Sequence, residues 1–155
     1  MSAARARANH ELYLGKIVIA AWRRERAKED IPAATLAQAF HPGVRNHLVA
    51  AYGWFLLAIS QADVPPQGPP QSCDELAPMP EGRVYPPEIN EFRQLEASGW
   101  LGEMLQAASF DMPGTRQPGN LAMPAQTGPS TEQVEHWAQQ LQALFERMGD
   151  SLDEY

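Results

Sequence analysis

The sequence predicts an all-α protein, a four-helix-type bundle with long proline-rich connecting loops, folded as one domain over residues 1–155. Two patterns predict the helices and a third predicts what separates them. Leu36, Phe40, Val44, Leu48, Ala51, Phe55 and Ile59 recur at steps of three and four, one stripe of a 3.6-residue helix. Val134, Trp137, Leu141, Leu144 and Met148 repeat that spacing near the C-terminus. Between them prolines crowd residues 63–87 and 111–129, and no run alternates apolar and polar residues as a strand does.

Taken in order, the first helix is expected from about Ala3 to Lys28, a stretch rich in alanine and arginine and interrupted only by Gly15. Tyr13, Ile17 and Ala20 form one apolar row and Leu14, Val18 and Ala21 the row beside it, with Ile19 and Trp22 flanking. The run RRERAKED that follows suits the negative C-terminal pole of a helix. Asp30-Ile31-Pro32 then makes a tight corner, so the second helix returns antiparallel as an αα-hairpin.

The second helix, residues 35–61, is the central element, because Trp54, Leu57 and Ala58 make its last turns apolar nearly all round. Its one defect is His41-Pro42-Gly43. A proline there removes a backbone hydrogen bond and crowds the preceding turn, at about 3 kcal/mol. The stripe keeps phase across the defect, which favours a kinked, nearly continuous element over two helices, 33–40 and 42–61. Gly53 beside Ala50 and Ala51 would admit a neighbouring helix closely.

Eight prolines within residues 63–87 forbid a continuous helix there and predict extended or polyproline-like backbone. Ser72 to Leu76 has capping-box spacing and could close one turn. Pro87-Glu88 opens a third helix with Ile89, Phe92 and Leu95 facing the core. Ser98-Gly99 breaks that pattern into 88–97 and 99–109, with Trp100 plugging the joint. In the last helix Ser130 is the N-cap, Gln133 completes a capping box, and Gly149 is expected to supply a left-handed exit.

The search for chemistry excludes more than it assigns. His10, His41, His47 and His136 lack the three- or four-residue spacing that puts two rings on one helix face. No metal site, cofactor or catalytic residue is therefore predicted. The single cysteine, Cys73, rules out an internal disulfide, and Asp74 and Glu75 beside it should raise its pKa and make it a poor thiolate. No phosphate loop, nucleophile elbow or dinucleotide motif is present. No apolar run approaches the length of a membrane span. The N-terminus places basic residues before apolar ones as a signal peptide does, but Glu11 and Lys16 interrupt it, and a cytoplasmic location is expected.

The net charge of −7 is unevenly spread. Through Ser60 cations outnumber anions eight to four; from Gln61 onward anions outnumber cations fifteen to four. Mutual neutralisation of two packed halves explains this better than a nucleic-acid surface, since overall acidity repels phosphate.

Arg7-Ala8-Asn9 with Leu12-Tyr13, Leu36-Ala37-Gln38-Ala39-Phe40, His47-Leu48, and Ala51-Tyr52-Gly53 with Phe55-Leu56 resemble a small bacterial family, a domain of unknown function. The resemblance covers the first sixty residues and extends to Gly99-Trp100-Leu101. It implies a small helical protein and supplies no activity or site. The helical ribonucleases of HEPN type share the size and the long antiparallel first pair. Their arginine-to-histidine motif is not completed after Arg45-Asn46, where Ala50, Ala51 and Tyr52 stand, and Arg5 with His10 lies where that family does not place it.

By elimination the expected function is a non-enzymatic protein–protein interaction or adaptor module of the bacterial cytoplasm. The candidate interaction surface comprises His41, Pro42, Arg45, Pro66 and Pro69, and the expected occupant is an unknown protein partner or a second copy of the chain. The alternative is nucleic-acid binding or HEPN-like RNA cleavage through Arg5, Arg7, Arg23, Arg24, Arg26 and Lys28. A third possibility is a small apolar ligand inside the bundle.

Overall fold

The computed structural model describes residues 2–107 and 129–153, and among them the only regular elements are helices. They are α1 (Ala3–Ala27), α2 (Ala33–Ser60), α3 (Pro87–Ser98), α4 (Trp100–Gln106) and α5 (Thr131–Asp153), with a 3-10 turn at Cys73–Glu75. The expected connector at 111–129 lies outside the described residues except for Pro129, and so does the 108–109 end of the third helical pattern.

The hairpin of α1 and α2 is the largest interface, and its register is antiparallel. Arg7 sits over Trp54, Glu11 meets His47, and Trp22 stacks on Phe40. The reversal needs Glu29 in the left-handed region at φ 57°, and the amides of Lys28 and Glu29 turn back to carbonyls of the last α1 turn. α2 runs through Pro42 without a break, as its unbroken stripe predicts.

Phe55 is the centre of the core. Its ring lies 4.2 Å from that of Phe145 on α5 and 6.2 Å from Phe92 on α3, while Tyr52 meets Phe92 edge-on at 5.5 Å. Leu48, Ala51, Leu56 and Ile59 complete the buried stripe, and Val134, Trp137, Leu141, Leu144 and Met148 answer it from α5. Burying side chains of this size stabilises by roughly 1.5–3 kcal/mol each before conformational entropy is subtracted.

Three sequence expectations are corrected. The row Tyr13, Ile17, Ala20 does not face the core; Ala8, Leu12, Gly15, Ile19 and Trp22 do. Two adjacent rows of α1 are both apolar, and the one carrying Gly15 and Ala8 lets α2 approach more closely. Gly53 accommodates the connector rather than a helix: a Cβ there would strike the carbonyl oxygen of Pro70. Gly149 does not end α5, which continues to Asp153; the Arg5 guanidinium occupies the space its Cβ would need and donates to its carbonyl at 3.2 Å. The turn expected at Ser72–Leu76 does form, over Cys73–Glu75, without a side-chain cap from Ser72. At α5, by contrast, Ser130 Oγ accepts the amide of Gln133 at 3.2 Å, as a cap should.

Candidate functional site

The five residues expected to form a surface are not brought together. His41 is only 1% exposed and so presents no surface to a partner. Burial, helped by the neighbouring Arg45 cation, lowers its pKa to about 4, so the ring is neutral near pH 7. Arg45 is half-buried and donates to the Leu105 carbonyl at 3.4 Å, placing a cation at the negative end of α4. Pro42 is exposed. Pro66 is exposed and Pro69 half-buried, with the Pro69–Pro70 strap lying against Gly53. Gly53 is eleven residues beyond Pro42, roughly 16 Å along the helix, so the two groups belong to different ends of α2.

Cys73 is buried, and its surroundings explain what it does. Its sulfur lies 3.4 Å from the Tyr52 hydroxyl, and its amide donates to both carboxylate oxygens of Glu96 at 3.2 Å. Burial pushes the thiol up to about 12, with the Glu96 charge adding to it. Asp74 and Glu75 are exposed and are not the cause. Burial raises the Tyr52 phenol in the same way. Two protonated groups form no nucleophile; they clasp the proline-rich connector to α2 and α3.

The remaining titratable groups fare similarly. His47 Nδ1 and Glu11 Oε2 are 2.8 Å apart and pin α1 to α2. Arg5 turns to Gly149, while His10 is exposed about 140° away around the helix, so the arginine–histidine pair of the ribonuclease reading does not converge. Among the described residues no group of three His, Cys, Asp or Glu side chains could hold a metal ion, and no helix is long and apolar enough to cross a membrane.

What stands out is the outward side of α1. Tyr13 is 61% and Ile17 47% exposed, and Ala6, Ala20 and Arg24 line up with them. Beside this row a groove of about 320 Å³ opens between α1 and α5. Buried Leu12 and Phe145 floor it; Arg5, Asn9, Tyr13, Lys16, Gln142 and Glu146 form its walls. Lys16 Nζ donates to Gln142 Oε1 across it, and Gln142 in turn donates to Glu146 at 3.0 Å. Sequence reasoning missed this face because it took the Tyr13, Ile17, Ala20 row as the apolar side of the helix. The rival row Ala8, Leu12, Gly15, Ile19, Trp22, stepping by four, three, four and three, was the available signal.

Comparisons with protein-family models, curated proteins and solved structures find no match to this chain.

Proposed function

We propose that the chain is a non-enzymatic protein-interaction module that docks a partner on the outward side of α1. The observation that carries this reading is the row of Tyr13 and Ile17, two large apolar side chains held in water at adjacent turns of a rigid helix. A folded domain that buries Leu12, Ile19 and Trp22 from the same helix has no internal use for a second apolar row, and exposed apolar patches mark interaction sites. The reading moves the surface away from His41, Pro42, Arg45, Pro66 and Pro69. It takes α3 and α4 as one bent member, which makes the bundle four-membered, and takes the bacterial cytoplasm as its setting, where a lone buried thiol such as Cys73 stays reduced.

The test compares the full chain with the double variant Tyr13→Ser/Ile17→Ser in pull-downs from native extract, after circular dichroism and thermal unfolding show both to be folded. The expected result is a protein set retained by the parent chain and lost from the variant. Equal recovery by the two, or no specific recovery by either, would count against the reading.

A further inference from the structure

Resting on that docking face, we infer that its occupant is an acidic amphipathic helix. The first argument is charge. From Ala6 to Arg24 the outward row carries Ala6, His10, Tyr13, Ile17, Ala20 and Arg24, and no carboxylate. Of the nearby acids, Glu25 pairs with Lys28, Glu132 with Arg26 and Glu135 with Arg23, while Glu11 meets His47 and Glu146 accepts from Gln142. Lys16 bonds to a neutral amide, and Arg24 makes no ion pair among the described residues. In a chain of net charge −7, this face therefore keeps two uncompensated cations flanking an apolar row. Acidic residues beside apolar ones are the complement.

The second argument is shape. The row runs over nineteen residues of α1, about 27 Å, the footprint of a helix laid alongside rather than of a small molecule. The groove between α1 and α5 adjoins it at Tyr13, and Leu12 and Phe145 are among its lining residues. Among its walls, Lys16 bonds the amide of Gln142 and Arg5 is already engaged by the Gly149 carbonyl. A second copy of the chain is a poorer occupant, because pairing two such faces sets Arg24 and Lys16 against like charges. Nucleic acid is a poorer occupant because a chain of net charge −7 repels phosphate.

A photo-crosslinking amino acid, p-benzoylphenylalanine, is placed at position 17 of the full chain, and at Val84, which is 87% exposed on the connector, as the control. After photolysis in native extract the crosslinked segment is sequenced and synthesised as a peptide. The inference predicts crosslinking at position 17 at least tenfold above position 84, and a segment that is acidic and amphipathic with helical spacing. Its affinity for the full chain should fall at least tenfold with Arg24→Glu, and likewise when salt rises from about 0.05 to 0.5 M. Lys16→Glu should weaken it too, but Arg24 is the cleaner variant because it is exposed and has no ion pair among the described residues to lose. A crosslinked segment that is basic or neutral, a segment of this same chain, or a nucleic acid would overturn the acidic helix while leaving the docking face standing. No excess at position 17 over position 84 would overturn both.

Discussion

The two halves of α2 share one rod and one stripe, yet they meet different surroundings. From Ala33 to His47 the helix contains Pro42, the buried His41, the half-buried Arg45 and His47, and several exposed positions. From Leu48 to Ser60 only Ala50 and Trp54 escape full burial. The difference shows where a helix can carry a defect. Pro42 is exposed, and the acceptor it leaves idle is the carbonyl of Gln38, a residue on the exposed side that water can reach. The same proline ten residues later would strand a carbonyl inside the core, where an unpaired polar group costs roughly 1–3 kcal/mol more. Polar side chains follow the same logic: His47 and Arg45 each reach a partner on α1 or α4, while the second half offers the core only Tyr52 and Ser60, both hydrogen-bonded.

The contrast is most exposed to failure at Phe55. Truncation to alanine removes a ring that touches α3 and α5 together, and should cost about 3–5 kcal/mol in urea unfolding. Phe40→Ala, in the first half, loses a half-buried ring stacked on Trp22 and should cost less than half as much. Equal losses would mean that the halves are packed alike.

His41 gives the first half a pH signature. Its folded pKa of about 4 lies below the ordinary value of 6.5, so between those values the unfolded chain binds the proton and the folded chain does not. Stability is therefore fully present above about pH 6.5 and declines as pH falls toward 4, by roughly 3 kcal/mol in total. Chemical unfolding of parent and His41→Gln at pH 7, 5.5 and 4 should show a steeper decline for the parent. Parallel declines would place the acid sensitivity elsewhere.

In the second half, Gly53→Ala should destabilise by about 1–3 kcal/mol, because the new methyl collides with the Pro70 carbonyl and the strap must lift. Lifting it frees the neighbouring turn, so Cys73 should begin to react with a thiol reagent at pH 8. In the parent the same thiol, buried and pushed up to about 12, should stay silent until the chain unfolds. A silent Cys73 in Gly53→Ala would show that strap and clasp are independent.

These positions also mark how far the residues alone could be read. Leu36 to Ile59 were legible because the stripe keeps phase along its whole length, Val134 to Met148 because theirs stands against polar neighbours, and Ser130 because a cap is a local device. α1 was misread because Tyr13–Ile17–Ala20 and Leu12–Ile19–Trp22 are equally apolar, and only the partner helix decides which row is covered. Gly53 and Gly149 were recognisable as places of close approach or special backbone, but Pro70 and Arg5 lie 17 and 144 residues from them in sequence. Cys73 was expected to have a raised pKa from Asp74 and Glu75; the rise is real, but its source is burial against Tyr52 and Glu96, contacts that no local pattern encodes.

The smallest expected effect isolates backbone from packing. Gly43 is also a glycine inside α2, ten residues before Gly53, but a Cβ built there meets nothing within 4 Å. Gly43→Ala should therefore stabilise by about 0.5–1 kcal/mol, since alanine loses less backbone freedom on forming a helix. Thermal unfolding of the two single variants and of the pair checks this directly. The signs should be opposite, and the effects should add within about 0.5 kcal/mol, because the sites are roughly 15 Å apart along the helix and share no neighbour. If Gly43→Ala instead destabilises, the helix beside Pro42 depends on the freedom of glycine, and the proline defect reaches further along α2 than one idle carbonyl.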